Sequence, residues 1–105
     1  MDYSQLSDLE INQRVSNAIP GRFIFYPDYV WDSEWEKTFD PCNKASDAWP
    51  IIQANGICIG YDGISWDASC HLHDIGQVND WKNHPEKPLR MAMIVFLLIQ
   101  DANHA

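Results

Sequence analysis

Near the start of the chain, Ile11, Val15, Ala18 and Ile19 recur at helical spacing and place one apolar face inward. Ser7-Asp8-Leu9-Glu10, just ahead, has the form of a capping box: Ser7 is the N-cap and Glu10 reaches back to its amide. Leu6 and Ile11 fit a hydrophobic staple, and Asp8 and Glu10 sit where the helix dipole favours anions. Pro20-Gly21 stops this helix. Residues 22–26, Arg-Phe-Ile-Phe-Tyr, are rich in β-formers and predict a strand, which Pro27 ends or confines to an edge. Residues 28–40 mix acids with aromatics and read as an irregular second strand or a wandering loop.

Farther on, Ser46 predicts the N-cap of a middle helix over 47–55. Pro50 would then fall at the fourth helical position, where its missing amide costs little, and Asn55-Gly56 supplies the stop. Two β-like runs, 57–61 and 64–68, flank Asp62-Gly63, which predicts a type I′ hairpin with a two-residue loop. In that register Tyr61 opposes Ile64, Ile59 opposes Trp66 and Ile57 opposes Ala68, all on one face. Residues 70–87 are polar and read as a loop with a short strand near 72–78. Pro88, at the favoured first position, opens a last helix whose stretch 91–99 is apolar all round. Such a helix is surrounded by its own chain or by a second subunit, which makes a homodimer through it an expectation. The order α-β-(β)-α-β-β-α predicts an α+β fold. A small antiparallel sheet with a central Asp-Gly hairpin would be packed by N-terminal, middle and C-terminal helices in a single domain over 1–105.

Composition narrows the function classes. Of 105 residues, 46% are hydrophobic and 12% aromatic, which excludes a disordered chain. Seven Lys+Arg against 15 Asp+Glu give a net charge of −8, which argues against direct nucleic-acid binding. The run 91–99 is far short of the ~18 apolar residues a membrane span needs, and the first residues lack the basic-then-apolar order of a signal peptide. Cys42, Cys58 and Cys70 are odd in number and form no C-x-x-C, so they read as reduced thiols in a cytoplasm.

Motifs for chemistry are weak. The chain has no G-x-S-x-G, H-E-x-x-H or glycine-rich phosphate loop, and spacing gives no support to a pair such as Asp47 with His73. No catalytic residue is assigned and a non-enzymatic role is expected, with a metal-dependent hydrolase as the remote alternative. Cys70-His71-Leu72-His73 resembles half of a zinc site, which Cys58, His84 or His104 would have to complete. On a strand Cys70 and His71 point to opposite faces, so neither metal nor cofactor is expected.

Two constellations suggest binding instead. Asp28, Tyr29, Trp31, Asp32, Glu34, Trp35 and Glu36 interleave acids with aromatics. They form either a solvated surface whose tryptophans anchor the core or a partner-binding face, since tryptophan and tyrosine dominate binding hot spots. Lys82, Lys87 and Arg90 cluster at the start of the last helix, where cations oppose the dipole. Either they pair with the acidic stretch, or Lys87 and Arg90 hold a carboxylate or phosphate ligand with Trp49 or Trp66 stacked beside it. The second case would make the protein a binder of an anionic metabolite or nucleotide.

Three segments carry a resemblance: Met1-Asp2-Tyr3-Ser4-Gln5-Leu6-Ser7-Asp8-Leu9-Glu10-Ile11-Asn12; Asp40-Pro41-Cys42-Asn43 with Asp47-Ala48-Trp49-Pro50-Ile51-Ile52; and Lys87-Pro88-Leu89-Arg90-Met91-Ala92-Met93-Ile94-Val95-Phe96-Leu97. Together they resemble the phage NinX family, small proteins of temperate tailed phages and prophages. The stretches 21–39 and 69–86 depart from that pattern. The resemblance implies an accessory protein of phage origin acting in the bacterial host's cytoplasm, and it transfers no catalytic residue. Together with the small size, the charge of −8 and the aromatics, it makes binding of a host or phage protein the expectation.

Overall fold

A computed structural model describes residues 2–19 and 21–103. Its first helix, α1 (Asp8–Asn17), is capped as the sequence predicts. Ser7 Oγ accepts the Glu10 amide and Glu10 Oε1 accepts the Ser7 amide, each at 3.1 Å. Ile11 and Val15 are fully buried, with Ala18 and Ile19 packed beside them. Of the expected stop, Pro20 lies outside the described residues; Gly21 takes the left-handed φ of 96°.

The acidic, aromatic stretch resolves into two strands. Strands β1 (Phe23–Phe25), β2 (Val30–Asp32) and β3 (Lys37–Phe39) form an antiparallel sheet in that order. Phe25, Val30 and Phe39 align across it, as do Ile24, Trp31 and Thr38. Val30, Asp32 and Phe39 are buried on the inner face, and the Phe23 and Phe39 rings meet at 4.5 Å. The sheet packs on α1.

Helix α2 (Ala45–Asn55) starts earlier than predicted. Lys44, not Ser46, occupies the N-cap, and no side chain caps it. The Lys44 carbonyl already accepts the amides of Asp47 and Ala48, and the Asp47 carboxylate anchors this first turn to Lys37 and to the Asp40 amide. Tertiary bonds therefore replace the local cap. Pro50 is the sixth helical residue, and the Ser46 carbonyl that loses its partner there belongs to an exposed residue that water can reach.

At the other end α2 closes in a Schellman motif: Ile57 N donates to Ile52 O and Gly56 N to Gln53 O, with Gly56 at φ 66°. A methyl group at Gly56 would meet only the tip of Leu72, which is 80% exposed and free to swing aside. Backbone strain therefore decides the outcome. Gly56→Ala is expected to lower the unfolding free energy by about 1–2 kcal/mol, the cost of a left-handed non-glycine residue. Gly56→Asn should lose less; urea denaturation of the two variants checks the order.

Strands β4 (Cys58–Tyr61), β5 (Trp66–Cys70) and β6 (Ile75–Asn79) make a second antiparallel sheet, so the strands divide between two sheets instead of one. The hairpin forms, but its register is two residues from the prediction: Tyr61 opposes Trp66 and Ile59 opposes Ala68. The Asp62 carboxylate causes the shift. Its Oδ1 accepts the amides of Ile64 and Ser65, both at 2.8 Å, and Asp62 N donates to Ser65 O. The turn thus centres on Gly63-Ile64, with Gly63 left-handed. A slip of two preserves the faces, so Ala68 and Cys70 still point inward; Ile64 alone loses its pairing and is 76% exposed.

Helix α3 (Pro88–Asn103) crosses the middle of the molecule. It packs against α1, α2 and the second sheet. Residues 90–97 and Ile99 are buried. This chain itself surrounds the stretch 91–99, so the apolar surface that a dimer through it would use is already covered. None of the described helices is long and apolar enough to cross a membrane.

Candidate functional site

Three-residue strands leave the first sheet too small to hide its aromatic side chains. With α1 on one side, side chains pointing the other way meet solvent. Ile24 is 46% exposed there, beside the half-buried Trp31. Beyond them, at the β1–β2 turn, the Tyr26 and Tyr29 rings stack with centroids 4.8 Å apart, and Phe25 is exposed on the edge strand. Asp28 is exposed between the two tyrosines. The result is an apolar ridge with an acidic tip.

The seven residues expected to form one partner-binding face are separated by this geometry. Asp28 and Tyr29 lie at one end, Trp31 in the centre, and Glu34, Trp35 and Glu36 on the exposed β2–β3 turn at the other end. Asp32 is a correction, because its side chain is 1% exposed and cannot meet a partner. It shapes the turn: Oδ1 accepts the Glu34 and Trp35 amides, and Oδ2 meets Arg22 Nη2 at 3.3 Å. Ile24 and Tyr26 belong to the ridge as well, while Phe25 is exposed at the edge of the opposite face. The signal for Ile24 was present, since Phe-Ile-Phe in a strand covered on one side must expose the middle residue.

The expected anion site at the start of α3 is occupied by the protein's own carboxylate. Arg90 Nη1 donates to Asp8 Oδ1 at 2.6 Å, and Lys87 Nζ to Asp8 Oδ2 at 2.5 Å. The cations do pair internally, but with α1 and not with residues 28–40. Arg90 is buried, and its Nη2 also donates to the carbonyls of Ser4 and Leu6. Burial alone would raise the Asp8 pKa, yet hydrogen bonds from Lys87, Arg90 and Asn43 outweigh it and hold the carboxyl below its usual 3.8. Trp49 and Trp66 do not complete this site as stacking partners: Trp49 is exposed on α2, while Trp66 packs on Tyr61 in the hairpin. Lys82 lies over the exposed Trp81 ring.

The Cys-His-Leu-His segment is not carried on one strand: β5 ends at Cys70 and the three residues after it form a 3-10 turn. Cys70 is buried with Sγ 3.2 Å from Asn55 O, while His71 and His73 lie on an exposed 3-10 turn. Among the described residues no three metal-ligating side chains converge; His104 lies outside them. Asp47 is held by Lys37 and the Asp40 amide, with no bond to His73.

With this geometry fixed, comparison with known proteins decides the family. The sequence profile of the family described as Bacteriophage P22, NinX matches residues 2–100. The chain belongs to this family. The matched span includes 21–39 and 69–86, so the exposed ridge lies within it. No curated protein and no solved structure matches the chain significantly.

Proposed function

We propose that this NinX-family chain is a non-enzymatic phage accessory protein that binds a basic phage or host protein in the bacterial cytoplasm. The exposed ridge of the first sheet and its β1–β2 turn carries the reading: Ile24, Tyr26 and Tyr29 are each 40–46% exposed on one face. Contiguous exposed aromatics of this kind mark interaction surfaces, because burying them against a partner supplies much of an interface's affinity. Asp28 at the tip and a net charge of −8 favour a cationic partner. Such attraction raises the association rate and weakens with salt.

The test immobilises the protein in lysate of phage-infected bacteria at low and high salt. Three forms are compared: native, the ridge variant Ile24→Ser/Tyr29→Ser, and Leu72→Ser, which alters a still more exposed apolar residue on the 3-10 turn between β5 and β6. The expected result is a basic protein captured by the native form and by Leu72→Ser, with the ridge variant weaker by about 2 kcal/mol, some thirtyfold. No specific capture, or capture unaffected by the ridge variant, refutes the reading.

A further inference from the structure

A cavity of about 710 Å³ lies between the β2–β3 end of the first sheet, α2 and the far end of α3, away from the tyrosine tip. This volume is typical of small-molecule sites. Phe39, Ile51 and Phe96 give it apolar walls, with Ile19, Pro50 and Ala54 beside them. Trp35, 66% exposed, stands at its lip.

Two ion pairs border the same space, Arg22 with Asp32 and Lys37 with Asp47. They are unequal in what they offer a ligand. The carboxylates are 1% and 2% exposed, whereas the Arg22 and Lys37 side chains are 34% and 42% exposed. Every carboxylate oxygen already has a donor: Asp32 takes two backbone amides and Arg22, and Asp47 takes Lys37 and the Asp40 amide. The cations are not used up. Among the described residues Lys37 gives one of its three N–H donors to Asp47, and Arg22 gives its two terminal nitrogens one carboxylate each, Glu34 and Asp32. The four charges of these two pairs cancel, and the accessible polar side chains of the lining are the cations Arg22 and Lys37 together with the uncharged Ser46, Asn55 and Gln100.

We infer that this cavity binds a small aromatic carboxylate, its ring system among Phe39, Phe96 and Trp35 and its carboxylate on Lys37 and Arg22. Flat rings suit walls of phenyl and indole, and a carboxylate accepts the single N–H donors that Lys37 and Arg22 still have at the rim. The site is separate from the proposed protein-binding ridge: Ile24, Tyr26 and Tyr29 are not among the residues that line it.

Naphthalene-2-carboxylate and its uncharged counterpart 2-naphthylmethanol test the assignment by calorimetry and by amide-shift mapping. The carboxylate should bind about tenfold tighter than the alcohol, the yield of charge-assisted hydrogen bonds, with shifts confined to the cavity-lining segments. Lys37→Met should remove that preference. Because Lys37→Met also leaves Asp47 unpaired, Ala54→Trp is the second variant: it fills the cavity from an exposed helical position and should abolish binding of both probes while the melting temperature holds. Equal affinity for both probes, no binding of either, shifts mapping elsewhere, or binding that survives Ala54→Trp overturns the inference.

Discussion

Arg90→Met is expected to cost about 3 kcal/mol of stability, the lower end of what removing one partner from a buried ion pair costs. Arg90 is 1% exposed and its partner Asp8 21%, so Asp8 keeps some water when stranded, which sets the figure at that lower end. The loss has two parts. Asp8 retains only Lys87 and Asn43 as side-chain partners, and the carbonyls of Ser4 and Leu6 lose the guanidinium that fastens the segment ahead of α1. Arg90→Lys should recover little, because one ammonium cannot reproduce a planar fork that meets three oxygens. The pH dependence has a fixed sign. Asp8 has its pKa depressed on folding, so its contribution is present above the usual 3.8 and disappears as pH falls through the lower, folded value. Urea denaturation from about pH 5 to 2 should therefore show a steeper acid loss in the native protein than in Asp8→Asn. An Arg90→Met variant as stable as the native protein at neutral pH would contradict this account.

Met93→Ala is expected to cost about 2–5 kcal/mol, the range for truncating a buried methionine. Met93 is fully buried on a helix enclosed by α1, α2 and the second sheet, so no neighbour can move in to close the void without disturbing another contact. At a loss of about 3 kcal/mol the melting temperature should fall by roughly 10–20 °C for a chain of this size. Met93→Leu, which keeps the volume, should lose under ~1.5 kcal/mol. Calorimetry of the two variants separates lost volume from mere substitution.

What the sequence conveyed follows the range of the interactions involved. The α1 cap was legible because Ser7 and Glu10 satisfy each other's amides within one turn. The last helix was legible because Pro88 and the long apolar run need no outside information. The hairpin register lies two residues from the one an Asp-Gly turn predicts, because the Asp62 side chain recruits the next amides and moves the turn along. The start of α2 was misplaced because Lys37 and the Asp40 amide, outside that helix, hold its first turn through Asp47. The division of strands into two sheets was also beyond local pattern, since either sheet alone alternates acceptably. At the candidate sites, cations near a helix start correctly signalled a need for an anion. The sequence separation between Asp8 and Arg90 hid that the chain meets that need itself. Arg22 and Lys37 went unremarked because the cavity beside them arises only when α2 and α3 close against the first sheet.

The first sheet and the second do not share a foundation. Strands β1 to β3, three residues each, lean mainly on α1, while β4 to β6 lie along α3. Few backbone bonds and much solvent contact make β1 to β3 less costly to detach than the centre around α3. A partial opening there can leave the α3 centre closed, so the segment carrying the tyrosines can change shape without global unfolding.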